Sequence, residues 1–304
     1  MIAAVDCGSN TIKLFIGDPP EVVVRESRTV RLGQGVDTSG ELADEALARA
    51  FTALEEYAAL VAVHPVERLR FCATSATRDA SNAARFAEGV HARLGVWPEV
   101  LSGPEEAALT FAGAVRHLRR VPAEPVLVVD IGGGSTELVL GGRGADGVGE
   151  IGQAVSLDAG SVRMYERHLH SDPASSEEIA ACAADVDALL DGAGVDLAAA
   201  RTVVGVAGSF LTITAGVLDL PAYDAARIDQ AELGVADVRA YVDRLLRLTH
   251  RERLALPYLH PGRADVITAG ALILDRVLAR TSASTLVASE ADILDGIAWS
   301  IASG

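Results

Sequence analysis

The chain has 304 residues, 50% of which are apolar, and this length and composition predict two folded domains, each with its own hydrophobic core. They exclude an intrinsically disordered protein, whose apolar fraction would be much lower. The formal net charge of −16 at pH 7 argues against general nucleic-acid binding, so a polyanionic ligand would have to meet a local group of cations or a bound metal ion.

No targeting or membrane segment is expected. Met1 leads into a strand-like run without a preceding basic region, and the apolar runs are too short for a membrane span. We therefore expect a soluble cytoplasmic protein without nucleic-acid or membrane partners. Cys7, Cys72 and Cys182 lack metal-ligand spacing and are interpreted as reduced thiols.

The first segment predicts a β-hairpin followed by a third strand. Residues 3–18, AAVDCGSNTIKLFIGD, contain an apolar run that ends on Asp6, a polar turn and a second apolar run. The predicted strands lie at 2–6, 11–16 and 21–31. The polar groups of the turn can hydrogen-bond to phosphate and belong to Ser9, Asn10 and Thr11.

A second polar turn follows further along the chain. We predict a helix within residues 32–62, capped by Thr38 or Ser39, then a strand at 67–74 and a helix that ends near Leu94. Between the last two lies ATSATRDASN. Hydroxyl groups and exposed N–H groups at a helix start favour an anion, and an arginine can grip phosphate oxygens, which makes candidates of Thr74, Ser75, Thr77 and Arg78. The alternative is a plain capping turn with a solvated arginine.

Two glutamates begin the next helix, at residues 101–118. Ser102 can cap this helix and Pro104 can occupy its first turn. Acidic residues suit a helix start, so Glu105 and Glu106 could serve only the helix dipole. Because the helix leads directly into the next strand and its glycine loop, one of the two could instead act as a general base for water.

The segment VLVVDIGGGSTELVLGG, residues 126–142, is the most informative. A buried strand ends on Asp130, a glycine turn follows, and the chain re-enters a strand at Glu137, so neither a Walker A loop nor a GxGxxG fingerprint is present. An ordinary glycine-rich hairpin is the alternative, but phosphate with a divalent cation fits better. The predicted phosphate-binding residues are Gly132, Gly133, Gly134, Ser135 and Thr136, and the predicted metal ligands are Asp130, Glu137 and Asp6.

The remaining chain adds a strand from about residue 147 to 157, a helix from about 158, and a serine-capped helix after Ser175. Residues 202–216 predict a strand, a turn and a helix, and Gly208 and Ser209 in the turn are candidates for a further phosphate or nucleotide loop. The alternative is a tight strand-to-helix turn that binds no ligand. The last third is predicted to be helical except for a turn at residues 250–262 and a strand near 284–288. The domains are placed at 1–122 and 123–304, and the final helix could pack on the first domain.

The hairpins around Asp6 and Asp130 form an internal repeat with a spacing of 124 residues. Two similar halves that each present an acid and a glycine turn imply a phosphate-binding cleft between them. The predicted fold class is therefore α/β, with two actin-like (ribonuclease H-like) domains and a cleft between them.

Five ordered motifs, DCGSNT, ATSATRDASN, SGPEEAALTFAG, DIGGGSTE and GVAGS, resemble the exopolyphosphatase and guanosine pentaphosphate phosphohydrolase (Ppx/GppA) family. RADVITAGALIL and SEADILDGIA resemble its C-terminal signatures. The resemblance implies removal of orthophosphate from polyphosphate or from pppGpp with Mg²⁺ or another cation such as Mn²⁺. It assigns the base to Glu106, and metal and water positioning to Asp130 and Glu137. Cys7 and Ala207 depart from the family pattern, and the chain is shorter than many members.

Two other classes compete with a hydrolase: an actin-like kinase and a nucleotide-gated binding protein. No separate acceptor motif supports the kinase. Since the net charge is −16 and the predicted loops offer donors for only a few phosphates, short polyphosphate chains are the expected substrates, with pppGpp as the alternative. The sequence leaves a homodimer open.

Overall fold

The computed structural model describes residues 1–144 and 149–303. The chain forms two compact units, Met1–Gly113 with Ile293–Gly304, and Ala114–Asp292. The division thus precedes the predicted boundary at residues 122 and 123, and the last segment belongs to the first unit. The predicted strand from residue 147 begins outside the described residues, which resume at Gly149.

Eleven strands are present in the described chain. They are β1 Ile2–Cys7, β2 Thr11–Asp18, β3 Glu21–Thr29, β4 Arg68–Ala73, β5 Glu99–Val100, β6 Val126–Ile131, β7 Thr136–Gly142, β8 Glu150–Leu157, β9 Thr202–Val206, β10 Glu232–Gly234 and β11 Thr285–Ala288.

The α-helices of the same residues are α1 Val36–Ser39, α2 Asp44–Ala62, α3 Ser75–Asp79, α4 Ala83–Leu94, α5 Gly103–His117, α6 Ser161–His168, α7 Ser176–Asp191, α8 Ala207–Val217, α9 Ala225–Ile228, α10 Val235–Leu245, α11 His250–Leu254, α12 Ile267–Leu278 and α13 Ile293–Ala302. None of these described helices is long and apolar enough to span a bilayer.

The two sheets share one strand order. The first unit has the order β3-β2-β1-β4-β5 and the second β8-β7-β6-β9-β11-β10, and each begins with an antiparallel meander of three strands followed by two parallel strands. The second sheet has an additional edge strand, β10, which is antiparallel to β11. Asp6 lies opposite Lys13 in the first hairpin, and Asp130 lies opposite Glu137 in the second. The predicted α/β fold class is confirmed, and the repeat extends beyond the hairpins to the sheet order.

The central strand of each sheet is buried on both faces, as its unbroken apolar run predicts. In the first unit, alternate β1 residues such as Val5 pack with the helices α2 and α4, and the others, such as Ala4, pack with α13. In the second unit, Leu127 and Val129 belong to a core that includes residues of α6, α8 and α12. Burying both faces fixes the strand ends, which carry the polar loops.

Several local predictions were wrong. Neither Thr38 nor Ser39 caps the long helix α2, because both lie in the short helix α1 and α2 begins after Ala43. The polar turn predicted at residues 73–82 contains a short helix, α3, that was not predicted, whereas the helix predicted to follow it and to end near Leu94 is α4. The predicted turn at 250–262 contains the helix α11, whose start is a capping box formed by Thr249 and Glu252.

Candidate functional site

The end of β1 presents a paired carboxylate in the first unit. Asp6 is only 4% exposed, and its Oδ2 lies 3.3 Å from Nζ of Lys13, the only lysine in the chain. A buried carboxylate needs such compensation, because an unpaired charge is costly to remove from water. Asp6, predicted as a metal ligand, therefore already has a cationic partner.

The loop after β1 meets the start of α3. The Oγ atoms of Ser9 and Ser75 lie 2.9 Å apart, and Gly8 N–H donates to the carbonyl of Thr11 across the turn. Asn10 Oδ1 and Thr77 Oγ1 are buried and have no hydrogen-bond partner among the described residues. Buried polar atoms are normally satisfied in folded proteins, so the Thr77 hydroxyl can donate to, and the Asn10 oxygen can accept from, water or a bound ligand.

The two glutamates of α5 have different environments. Glu105 is exposed, and its Oε2 accepts hydrogen bonds from Ser102 N–H at 2.9 Å and Ser102 Oγ at 2.7 Å, which lower its pKa. Glu106 is 6% exposed, and burial raises its pKa to about 7 despite the opposing effect of Arg78. Glu105 is thus a helix cap and Glu106 is a carboxyl group that can exchange a proton near neutral pH.

Arg78 holds the carboxylate of Glu106. Its Nη1 donates to Glu106 Oε2 at 3.1 Å and to the carbonyl of Leu101 at 2.8 Å. Within the described chain, its Nε and Nη2 make no hydrogen bond, so part of the guanidinium fork stays available. An arginine in this state can bind phosphate oxygens while it orients the glutamate.

In the second unit, the acidic residue at the end of β6 lies opposite another acidic residue on β7. Asp130 and Glu137 occupy opposing positions of the hairpin and are 7% and 1% exposed. Ser156 on β8 donates its hydroxyl to Glu137 Oε1 at 2.7 Å. Two buried carboxylates at one strand pair supply hard oxygen ligands of the kind that Mg²⁺ prefers.

A cation at these acids would need further ligands. In residues 1–144 and 149–303, no group of three or more His, Cys, Asp or Glu side chains is arranged to hold a metal ion. Mg²⁺ commonly binds through one or two carboxylates and completes its shell with water and substrate phosphate oxygens. The pair Asp130 and Glu137 fits that mode of binding.

The triple-glycine loop offers main-chain donors. The N–H groups of Gly133, Gly134 and Ser135 have no hydrogen-bond partner within the described residues. Successive N–H groups of this kind form an anion-binding concavity. The hydroxyl of Thr136, in contrast, donates to the carbonyl of Ala159, so this side chain fastens the loop and does not offer a donor to phosphate.

The Gly208 turn begins α8 and lies under an arginine. A Cβ atom at Gly208 would lie 1.2 Å from Nη1 of Arg263, so the guanidinium occupies the space above this residue. The guanidinium of Arg263 forms no ion pair or hydrogen bond with the described residues, and burial lowers its pKa. Ala207, which departs from the family pattern, has a φ of 61°, a left-handed conformation that favours glycine. Ser209 is 4% exposed.

The predicted residues therefore form two groups, one in each unit. Asp6, Ser9, Asn10, Thr11, Ser75, Arg78 and Glu106 belong to the first unit, and Asp130, Gly132, Gly133, Gly134, Ser135, Thr136, Glu137, Gly208 and Ser209 belong to the second. Sequence reasoning did not assign roles to Lys13, Ser156 and Arg263. The repeat spacing could have found Lys13, because it occupies the position that corresponds to Glu137.

Comparison with known proteins gives matches over nearly the whole chain. A model of the Ppx/GppA phosphatase family matches residues 11–303. Exopolyphosphatase 2 of Mycobacterium tuberculosis is 44% identical over 320 aligned residues, which cover 99% of this chain and 98% of that protein.

Solved structures agree. The crystal structure of an exopolyphosphatase-like protein matches with a TM-score of 0.95 at 44% identity, covering 99% of this chain and 98% of that chain. The crystal structure of an exopolyphosphatase from Cytophaga hutchinsonii matches with a TM-score of 0.89 at 26% identity, covering 100% of this chain and 98% of the other.

Proposed function

Because the chain belongs to the Ppx/GppA phosphatase family, we propose that it is an exopolyphosphatase, which hydrolyses the terminal phosphoanhydride bond of inorganic polyphosphate and releases orthophosphate. The observation that carries the proposal is Glu106, a buried carboxyl group with a pKa of about 7 that is held by Arg78. This pair can deprotonate water beside a phosphate group. The 44% identical relative named exopolyphosphatase supports the same reaction.

In the proposed mechanism, Glu106 accepts a proton from a water molecule as the water oxygen attacks the terminal phosphorus. The new P–O bond forms while the bond from that phosphorus to the bridging oxygen breaks, and the shortened chain leaves on the bridging oxygen. A phosphoryl transfer of this kind depends mainly on positioning and on neutralising the phosphate oxygens. No covalent enzyme intermediate is needed.

Groups that are already in position would neutralise the negative charge of the phosphate oxygens. Arg78 retains free donors beside Glu106, and the buried hydroxyl of Thr77 lies in the same unit. The second unit offers the N–H groups of Gly133, Gly134 and Ser135 and the guanidinium of Arg263. Donors fixed before the substrate arrives stabilise developing charge without the cost of reorganisation.

A divalent cation, Mg²⁺ or Mn²⁺, is the proposed cofactor. Asp130 and Glu137 would hold it, and Ser156 would orient Glu137 through their hydrogen bond. When bound, the cation would neutralise phosphate oxygens and polarise the phosphoryl group. Asp6 is the weaker candidate as a ligand, because Lys13 already compensates its charge.

The decisive assay measures orthophosphate release from tripolyphosphate, long polyphosphate, pppGpp and ATP, each with and without Mg²⁺. The proposal predicts release from polyphosphate that depends on the cation. Activity only on pppGpp would favour the alternative phosphohydrolase. Transfer of phosphate from ATP to an acceptor, without hydrolysis of polyphosphate, would favour a kinase.

The pH dependence of hydrolysis is expected to follow the ionisation of Glu106. Its pKa is raised from 4.5 to about 7 by burial, and a general base must be deprotonated to act. We therefore expect kcat/KM for tripolyphosphate, at saturating Mg²⁺, to rise about tenfold per pH unit below pH 7 and to level off above it. A profile that is flat from pH 5.5 to pH 8 would contradict the assignment of Glu106 as the base.

The proposed substrate preference is for short chains. With a net charge of −16 and a single lysine, the surface as a whole repels a long polyanion, and ionic screening confines attraction to the arginines and N–H groups described above. Digests of long polyphosphate should therefore show intermediate lengths on a gel early in the reaction. Loss of full-length material without intermediates, with a higher kcat/KM for long chains, would overturn this preference.

A further inference from the structure

The carbonyl groups of the triple-glycine loop accept hydrogen bonds from residues 161–163, in the segment that follows the third strand of the second unit, β8. Ser161 N–H donates to the carbonyl of Gly132 at 2.9 Å, and Val162 N–H donates to that of Gly133 at 2.8 Å. The third carbonyl, of Gly134, accepts from a side chain, Arg163 Nε, at 2.8 Å.

These ties decide where the loop directs its N–H groups. In a planar trans peptide, the carbonyl of one residue and the N–H of the next point in opposite directions. Fixing the carbonyls of Gly132, Gly133 and Gly134 on one side therefore turns the N–H groups of Gly133, Gly134 and Ser135 to the other side. Those are the three N–H groups that lack a partner in the described parts of the chain.

The segment that makes these hydrogen bonds, residues 160–163, packs directly on the loop. A Cβ atom at Gly160 would lie 2.3 Å from the carbonyl carbon of Gly133, so only glycine permits this approach. The helix α6 thus begins against the loop, and its first N–H groups, which lack intrahelical partners, are satisfied by loop carbonyls. The segment supports the loop from behind.

The first unit repeats the arrangement after its own third strand. The N–H groups of Val30 and Arg31 donate to the carbonyl of Asn10 at 2.9 and 3.0 Å, and Gly33 N–H donates to that of Ser9 at 2.7 Å. Arg31 has a φ of 51°, a strained conformation for a residue that is not glycine. Such strain persists only where neighbouring contacts hold it.

A side chain of α2 supplies those contacts. Arg49 Nε donates to the carbonyl of Val30 at 2.8 Å, and its Nη2 donates to Oε1 of Gln34 at 3.2 Å. Arg49 therefore acts on the segment that ties back the loop, whereas Arg163 acts on the loop carbonyl itself. In both units an arginine completes the arrangement.

We propose that Arg163 and Arg49 are positioning residues that keep the carbonyl oxygens of the two hairpin loops turned away from bound phosphate. The inference rests on the proposed phosphate chemistry of these loops. For Arg163 this role follows from the hydrogen bond that its Nε donates to the carbonyl of Gly134. Without the tie, the peptide after Gly134 can rotate and present an oxygen to a polyanion.

The test compares Arg163→Ala with Arg167→Ala. Arg167 lies one turn later on the same helix and pairs with Asp185 at 2.9 Å, so it controls for loss of an arginine from α6. We expect Arg163→Ala to raise the KM for tripolyphosphate about tenfold, with a smaller change in kcat, because one main-chain donor to phosphate is lost. In the absence of substrate, amide exchange at residues 132–136 should become faster.

Arg163→Lys should recover much of the KM, since an ammonium group can donate to the same carbonyl. In the first unit, Arg49→Ala should speed amide exchange at residues 8–12, whereas Arg93→Ala, which removes an arginine bonded to Glu55 on α2, should not.

Equal KM values and equal loop exchange in Arg163→Ala and Arg167→Ala would overturn the proposal. So would a KM for Arg163→Lys as high as that of Arg163→Ala. If the unaltered protein failed to hydrolyse polyphosphate, the proposed function would fail instead, while the exchange measurements would still decide whether the arginines hold the loops.

Discussion

Glu106→Gln is expected to lower kcat for tripolyphosphate hydrolysis by a factor on the order of 10² to 10⁴, the range that a general base contributes. Glutamine keeps the size of the side chain and can still accept the hydrogen bond from Arg78, but it cannot take a proton from water. The measurement is orthophosphate release at saturating substrate and Mg²⁺. The residual activity should no longer rise through pH 7.

The fold should survive this substitution. Burial holds the pKa of Glu106 at about 7 in the folded protein, above its ordinary value of 4.5, so ionising this carboxyl group lowers stability between about pH 4.5 and 7 and leaves the cost in place above that range. A neutral glutamine removes the cost. We therefore expect the melting temperature at pH 8 to be unchanged or higher.

Glu105→Gln is the matched control, because it changes the neighbouring residue of the same helix. Glu105 is exposed and caps α5 through Ser102, so its replacement by glutamine should weaken the helix start only slightly and leave kcat within about twofold. A large loss of kcat in Glu105→Gln, with normal turnover in Glu106→Gln, would show that Glu105 and not Glu106 is the general base.

The hairpins and their repeat could be predicted from the sequence because local patterns determine them. An apolar run that ends on an acid, followed by glycine and a second apolar run, describes both β1-β2 and β6-β7. The capping box at Ser175 and Glu178 is equally local. The short helix α3 was not predicted, because contacts between distant residues shape the turn that contains it. Asn82 hydrogen-bonds to both main-chain groups of Leu42, a contact that no local pattern contains.

The same distinction between local sequence patterns and contacts of distant residues applies to the candidate site. Loop glycines and hydroxyl groups are visible in the sequence, and so is the choice between two glutamates, although only burial separates Glu106 from Glu105. The partners of these residues depend on strand register and packing. Ser156 reaches Glu137 because β8 pairs with β7, and Arg163 reaches Gly134 because Gly160 lets α6 approach the loop.

The dependence on a divalent cation should change most when the acids of the second hairpin are neutralised. Asp130→Asn and Glu137→Gln are each expected to raise the Mg²⁺ concentration for half-maximal activity by about tenfold or more, because loss of a metal ligand or of a group that orients it has effects of this size. Both side chains are nearly fully buried, so water molecules cannot easily take the place of the lost carboxylate beside the cation. Added Mg²⁺ should restore part of the activity.

Glu150→Gln is the control, since Glu150 is an exposed residue of β8, the strand that also carries Ser156. Its Mg²⁺ titration should match that of the unaltered protein. Binding of Mn²⁺, followed by electron paramagnetic resonance without substrate, gives a readout that does not depend on turnover. If both acid variants bind Mn²⁺ and respond to Mg²⁺ as the control does, then Asp130 and Glu137 do not hold the cation. Their burial opposite each other would then have to be explained by the packing of the hairpin alone.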